Sequence, residues 1–341
     1  MHRSSVTIDL RALRGNVRRL REAAAGAELW AVVKADGYGH GAADVARAAL
    51  AEGANALCVA TVGEAAALRE EGLREPRVHV LGPTQPREWP AARAARVELA
   101  VGGEPVPPDL PVHLKLDTGM GRFGAVDLPE SPPPNCVGLM SHLATADSDL
   151  AFAEQQVERF RAAVARFPKL TAHLANSAAT LALPSARFDA VRCGVALYGL
   201  SPTGGDPDAD CLEPVLSWRS YLARVVRLEP GQSTGYGRRF IAERPTWIGL
   251  VPVGYGDGWR RDLTGTTVLV DGQRCRAVGT VSMDSFAVEL GGEQPLGTPV
   301  TLVGDGLLVE EHARVAATIN YELTCGIVSR VERALREVVG A

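Results

Sequence analysis

Aromatic residues make up 5% of the 341 positions, cysteines number six, and lysine plus arginine (36) fall short of aspartate plus glutamate (40). The formal net charge of −4 leaves no basic field to hold nucleic acid or an anionic membrane surface. No run of about 18 apolar residues occurs, so no segment reads as a membrane span. Asp9 and Arg11 follow closely on Met1-His2-Arg3-Ser4-Ser5, without the apolar stretch of a signal peptide, and a cytoplasmic location is expected. The cysteines (Cys58, Cys136, Cys193, Cys211, Cys275, Cys325) are scattered, and none forms a Cys-x-x-Cys pair. That points away from a zinc site or a disulfide framework and toward reduced thiols; no bound metal is expected.

What is present is ordinary globular material. Hydrophobic residues are 46% and charged residues 22%, enough apolar surface to build a core and too much for a disordered chain. The length suits two domains, or one large α/β barrel with an appendage.

The first two-thirds alternates short apolar runs with helical patterns. The runs Leu29–Val33, Asn55–Ala60, Arg77–Leu81, Val97–Val101, Val112–Leu116, Cys136–Ser141, Leu170–Leu174 and Phe188–Arg192 alternate little, as strands buried on both faces should. Helical patterns fall at Leu10–Ala24, Ala42–Glu52, Glu64–Glu71 and Asp149–Phe167. Eight such repeats predict a (β/α)8 TIM-like barrel over residues 1–213. Its helix after Val97–Val101 is weak, because Glu104–Pro111 is proline-rich, and Pro129–Pro134 reads as a loop.

From about Glu213 the pattern turns to strands, predicting a mainly β-strand domain over 214–341. They are Leu216–Leu228, Trp247–Val253, Thr267–Val270, Arg274–Val281, Ser285–Leu290 and Val300–Val303, then a helix near Glu310–Thr318 and a last strand near Ile327–Arg336. Asp271-Gly272 between two strands signals a tight hairpin.

One segment carries chemistry on its face. Ala31-Val32-Val33-Lys34-Ala35-Asp36-Gly37-Tyr38-Gly39-His40-Gly41 runs from an apolar strand into a glycine-rich turn. Lys34 would stand at the C-terminal mouth of the barrel, where such folds build active sites. A partly desolvated lysine can become a free amine and form a Schiff base with a carbonyl. The bare pattern also describes a strand-end lysine that simply reaches solvent, and its glycines an ordinary turn.

The same string closely resembles the pyridoxal-phosphate (PLP) lysine signature of bacterial alanine racemases. Further motifs resemble that family, in its order, along nearly the whole chain. They are His113–Gly124, Ser141–Asp147, His173–Thr180, Arg192–Gly199, Gly235–Arg238, Val253–Gly258, Ser282–Asp284 and Asn320–Glu322.

The resemblance implies that Lys34 holds PLP and acts as the base on the D face of the substrate. It implies that Tyr38, Tyr321, Ser177 and the backbone at Gly194 and Val195 bind the phosphate. Asn176-Ser177 opening a helix agrees, since helix N-termini receive phosphate. It sets Arg192 against the pyridine nitrogen, which such a donor would leave unprotonated, and His173 near the ring. Tyr236 is implied as the L-face base, linked through His142 to Arg192; a free phenol, with its pKa near 10, needs such help. Arg122 would meet the substrate carboxylate, with Met283 and Asp284 shaping that end of the pocket and Tyr255 and Tyr321 narrowing its entrance. Lys115 matches a lysine that many members carry as an N-carbamate. The implied assembly is a head-to-tail homodimer whose active sites are shared between chains, with L- and D-alanine as substrates and D-alanine supplied to peptidoglycan. Serine or broader amino-acid racemisation, and a PLP-binding barrel without turnover, are the alternatives.

Two positions depart from the family pattern. Gly235 stands where many relatives carry a hydroxyl or aromatic residue, and Gly256 replaces a common alanine.

Overall fold

The structure is a computed structural model describing residues 2–328 and 333–340. The chain divides into two compact units, Leu13–Thr203 with Asp208–Glu213, and Met1–Ala12 with Gly204–Pro207 and Pro214–Ala341.

The chain opens with β1 (Ser4–Asp9) and the helix Leu10–Ala24. Eight strands follow: β2 (Glu28–Val32), β3 (Ala56–Val59), β4 (Val78–Val80), β5 (Glu98–Val101), β6 (Val112–Lys115), β7 (Cys136–Met140), β8 (Thr171–His173) and β9 (Ala190–Cys193). They close a parallel barrel in sequence order, with β9 returning to β2. The strands are short and apolar because both faces are covered: β3, β4, β6 and β9 are buried at every residue.

Local sequence sets the helices. Val62–Glu70 starts from a reciprocal cap in which Thr61 accepts from the Glu64 N–H and Glu64 answers the Thr61 N–H. Leu150–Arg166 is capped by Asp149 and buries Ala153, Val157, Phe160 and Ala163 along one face. The expected repeat is incomplete, because no helix joins β5 to β6 or β6 to β7. Pro105, Pro107, Pro108 and Pro111 in the first connection, and Pro129 and Pro132–Pro134 in the second, lack the N–H groups a helix ladder needs. Asn135 fastens the ends of these loops by donating to the carbonyls of Pro107 (2.7 Å) and Leu110 (2.5 Å).

The second unit holds a nine-stranded sheet and a small pair. Its later strands are β10 (Leu216–Tyr221), β11 (Arg224–Leu228), β12 (Ser233–Thr234), β13 (Phe240–Ile241), β14 (Thr246–Val251), β15 (Thr267–Val270), β16 (Gln273–Val278), β17 (Phe286–Leu290), β18 (Pro299–Val303) and β19 (Ala334–Val339). The sheet order is β11-β14-β17-β16-β15-β18-β10-β1-β19. Asp271 and Gly272, with φ of 49° and 76°, make the expected two-residue turn between β15 and β16.

Three expectations are corrected here. The run Leu216–Leu228 is two strands: at Leu222 and Ala223 the chain bonds first to Thr298 and then to Leu250, so β10 and β11 join different neighbours. A single division after residue 213 misplaces the start of the chain, because β1 pairs antiparallel with β10 and parallel with β19. The last strand lies at Ala334–Val339; of the expected Ile327–Arg336, residues 329–332 lie outside the described residues. The helix expected near Glu310–Thr318 is Val309–Val315, and a further helix occupies Asn320–Gly326.

Candidate active site

Lys34 lies two residues beyond the end of β2, at the C-terminal mouth of the barrel. The four residues after it turn left-handed: φ is 52° at Ala35, 50° at Asp36, 60° at Gly37 and 54° at Tyr38. For each residue other than glycine this costs about 1–2 kcal/mol, so the surroundings must hold the turn. The Gly37, Gly39 and Gly41 N–H groups donate to the carbonyls of Val33, Ala35 and Asp36 at 2.9, 3.1 and 2.9 Å. Asp36 also accepts from the Ala42 N–H (2.8 Å), and Glu64 accepts from Ala35 (2.8 Å) and Ala60 (2.6 Å). Backbone strain so firmly over-determined is characteristic of functional sites. Tyr198 steadies the strand beneath by donating its hydroxyl to the Val32 carbonyl at 2.9 Å.

The turn delivers Tyr38 to the end of β9, the strand paired with β2. Its ring packs 4.9 Å from Tyr198, and a Cβ at Gly194 would fall 2.5 Å from the Tyr38 oxygen. Ser177, first residue of the helix Ser177–Ala182, accepts from the N–H of Gly194 (3.0 Å) and of Ala196 (3.4 Å). Asn176 caps that helix, accepting from the Ala179 N–H at 3.0 Å. Tyr38, Ser177, Gly194 and Val195 are thus gathered around the ends of β8 and β9.

Arg192 is buried in the barrel interior, and burial holds its guanidinium down at about 10, still charged at neutral pH. One terminal nitrogen donates to the His173 Nδ1 and carbonyl, both at 2.9 Å. The other donates to the carbonyls of Ser141 (2.7 Å) and Leu174 (3.1 Å) and lies 3.4 Å from His142 Nδ1. Among the described residues no protein acceptor takes its Nε. His142 is neutral: burial, then Arg192 and the other nearby cations, push its pKa down to about 3.

Lys115 ends β6, is 6% exposed, and sits 4.1 Å from the centre of the Phe123 ring. Burial, with Arg192 and Arg122 adding repulsion, lowers its pKa to about 8. Arg122 is presented by a loop wrapped on Asp117, whose carboxylate accepts from the N–H groups of Gly119 (2.9 Å), Met120 (2.8 Å) and Gly121 (2.8 Å). Gly124 closes the loop where a Cβ would meet the Asp117 N at 2.8 Å.

The remaining expected residues belong to the other unit. Tyr236, Tyr255 and Met283 are 73%, 43% and 53% exposed. Their loops are tied at their own main chain: the Thr280 hydroxyl donates to the Tyr236 carbonyl (2.9 Å), the Tyr255 N–H to the Ser282 carbonyl (3.1 Å), and the Gly256 N–H to the Met283 carbonyl (2.9 Å). Arg333 clamps Asp257 (2.5 and 3.1 Å) and Asp284 (2.7 Å) together. A side chain at Gly256 would meet that Arg333 guanidinium at 3.0 Å, while Gly235 has a φ of +77°, which favours glycine. Tyr321 is on the helix Asn320–Gly326.

Residues 8–202 match the family model for the alanine racemase N-terminal domain, and residues 215–335 that for the C-terminal domain. Alanine racemase 1 of Bacillus subtilis is 40% identical, over 97% of this chain and 92% of that protein. The chain belongs to the alanine racemase family. Its fold is similar to the crystal structure of alanine racemase from E. faecalis, with a TM-score of 0.89 and 36% identity, over 99% of this chain and 98% of that one. Alanine racemase from Bacillus anthracis, solved with bound L-Ala-P, gives a TM-score of 0.88 and 33% identity, over 99% and 95%.

The barrel unit brings Lys34, Tyr38, Lys115, Arg122, His142, His173, Ser177, Arg192, Gly194 and Val195 to one end and its interior. The β-rich unit brings Tyr255, Met283 and Asp284 together by backbone pairing. Sequence reasoning did not single out Glu64 and Asp36, which hold the lysine turn, or His79, Glu98 and His113, which fill the barrel beneath Arg192. The signal for the last three was present: each is a polar residue inside an apolar strand, at Val78-His79-Val80, Val97-Glu98-Leu99 and Val112-His113-Leu114.

Proposed function

We propose that this chain is an alanine racemase that uses PLP and interconverts L- and D-alanine between two bases on opposite faces of the substrate. The observation that carries the reading is the strained turn presenting Lys34 beside the Tyr38–Ser177–Gly194 cradle, in a chain of this family from end to end. The cradle fits PLP in shape and in donors. The Tyr38 hydroxyl stands where any side chain at residue 194 would be, and among the described residues no protein acceptor takes the Arg192 Nε–H, which is left for the pyridine nitrogen.

Tyr38, Ser177 and the Gly194 and Val195 backbone would hold the phosphate, with Tyr321. Bound to Lys34, PLP would supply an electron sink that makes the α-proton of an amino acid acidic. Lys34 would take or return that proton on the D face, and Tyr236 of a second copy on the L face. His142, neutral and close to Arg192, would accept from the guanidinium and bond the phenol of that tyrosine. Arg122 would grip the substrate carboxylate through its fork, with the Met283 N–H, Asp284 and Tyr255 bounding the pocket. A pKa of about 8 leaves Lys115 partly neutral near pH 7.5. A neutral amine can add to carbon dioxide, forming the N–C bond and releasing a proton. The resulting carbamate would draw Arg122 into place where an ammonium would repel it.

The exposure of Tyr236, Tyr255 and Met283 supports a head-to-tail homodimer in which these residues meet a neighbour's cofactor. Among the described residues no helix is long and apolar enough to cross a membrane, in keeping with a cytoplasmic enzyme that supplies D-alanine for peptidoglycan. The test is incubation of the PLP-loaded protein with L-alanine in D2O, followed by chiral analysis. D-alanine carrying deuterium at Cα is the expected product. Turnover of L-serine in preference would move the assignment to a serine racemase, and a protein that binds PLP without turnover would overturn the activity.

A further inference from the structure

Beneath Arg192 the barrel interior holds an unbroken polar chain instead of the usual apolar layers. Arg192 contacts His173 Nδ1 at 2.9 Å, His173 Nε2 meets His113 Nδ1 at 2.9 Å, and His113 Nε2 meets Glu98 Oε2 at 3.0 Å. Both imidazoles are fully buried. The backbone makes room for them: a Cβ at Gly138 would lie 1.9 Å from His113 Nδ1. The indole of Trp30 flanks both rings, 4.4 Å from His173 and 5.8 Å from His113.

Donor logic gives the chain one direction. Arg192 can only donate, so His173 Nδ1 must accept and its proton must sit on Nε2. That proton is donated to His113 Nδ1, which places the proton of His113 on Nε2 in turn. The chain then needs a final acceptor, and Glu98 supplies it. Burial works to raise the Glu98 pKa, but hydrogen bonds from His113 and Arg77 outweigh it and hold the carboxyl down at about 2. Arg77 fixes the carboxylate from the solvent side, at 3.0 and 3.1 Å, and also meets Glu28 at 3.3 Å. Among the described residues, Arg192 is bonded by carbonyls and imidazoles and by no carboxylate. The hydrogen-bonded chain that ends on Glu98 reaches it through the two rings.

We propose that Glu98 is a positioning residue for Arg192: through His113 and His173 it fixes both imidazoles as neutral Nε2–H tautomers and so holds the guanidinium that faces the cofactor. This rests on the reading of Arg192 as the partner of the pyridine nitrogen. His79 stands beside the wire and outside it, with its ring 4.5 Å from that of His113 and its Nδ1 buried without a hydrogen bond. His79, Glu98 and His113 bring ligand atoms within 4.8 Å of one another, yet Glu98 and His113 are already satisfied by hydrogen bonds and need no cation.

The test reads the rings directly. Apoprotein labelled with ¹⁵N-histidine is examined by long-range ¹H–¹⁵N correlation between pH 6 and 8. His113 and His173 are expected as neutral Nε2–H tautomers; an Nδ1–H tautomer or an imidazolium at either ring overturns the proposal. In the PLP-loaded enzyme, Glu98→Leu is expected to lower kcat about tenfold with KM nearly unchanged, the loss of one buried acceptor acting on catalysis. Glu98→Gln keeps an acceptor oxygen and is expected to retain both tautomers and most of kcat. A Glu98→Leu enzyme with unaltered kcat and unaltered rings contradicts the proposal. Should that variant fail to fold, the wild-type tautomers and Glu98→Gln still decide. Failure of the protein to bind PLP would defeat the reading of Arg192, a result separable from the tautomers because those are read without PLP.

Discussion

The barrel unit and the β-rich unit hold their proposed site residues in opposite ways. In the barrel, Arg192, His142, His173, Lys115 and Ser177 are inside the protein, and most are bonded to one another or to nearby backbone. In the β-rich unit, Tyr236, Tyr255 and Met283 stand exposed on loops fixed through their main chain. A cofactor that stays bound rewards rigid, desolvated groups, because those keep their geometry between turnovers. Residues that finish a site on a neighbouring copy must instead remain on the surface until that copy arrives. The interiors differ as well. The β-rich unit packs Trp218, Trp259 and Phe286 into an aromatic cluster with one buried histidine, His312, whereas the barrel surrounds Trp30 with three.

The sharpest way to break this contrast is to remove one proposed base from each unit. Lys34→Ala should abolish PLP attachment and cut racemisation by roughly 10⁴-fold or more, read as loss of the visible cofactor band and of chiral turnover. Tyr236→Phe should keep the band and lower racemisation by about 10³-fold. It should still exchange the α-proton of D-alanine with D2O, since the proposal gives that face to Lys34. Exchange from both enantiomers at equal rates would contradict the assignment of faces.

Acid should separate the units next. His79, His142 and His173 are held neutral by burial, each with a folded pKa below its ordinary value. Below pH 6.5 the unfolded chain binds protons that the folded barrel does not, so stability falls as pH falls. By linkage, each ring costs about 2 kcal/mol at pH 5 relative to pH 8. Urea titration followed by hydrogen exchange should show the barrel strands opening before the β-rich sheet at pH 5. Equal loss in both units would contradict the asymmetry.

Smaller changes probe the cradle and the turn. Gly194→Ala forces a methyl against Tyr38 and should weaken PLP binding about tenfold, measured by equilibrium dialysis. Ala35→Gly should stabilise the fold by roughly 0.5–1 kcal/mol, because glycine adopts the left-handed turn without its steric cost. A lower urea midpoint for that variant would show that the turn is not strained.

Much of this was legible in the sequence. The eight barrel strands announced themselves as short apolar runs, and Asp271-Gly272 as a hairpin. Lysine occurs only at positions 34, 115 and 169, so the two in the site stand out against an arginine-rich surface. Other features depended on partners far along the chain. β1 alternates buried and half-buried residues, but its ladder forms with strands some 200 and 330 residues later, and a local pattern cannot announce them. The break at Leu222 lies within one strand-like run with no glycine or proline to mark it, and becomes a break only because Thr298 and Leu250 bind on its two sides. The wire from Glu98 to Arg192 is hidden for the same reason: its members lie on four different strands, each polar residue can be seen in the sequence, and only barrel closure lines them up.

The central claim is that the exposed residues of the β-rich unit act on a second copy's barrel. Mixing the Lys34→Ala and Tyr236→Phe proteins under conditions that exchange subunits tests it most directly. If Tyr236 acts across copies, each mixed dimer holds one doubly defective site and one intact site, and random mixing restores up to about a quarter of wild-type activity. If Tyr236 acts within its own chain, every site in every dimer lacks one base, and a mixture proven to contain mixed dimers stays as inactive as its parents.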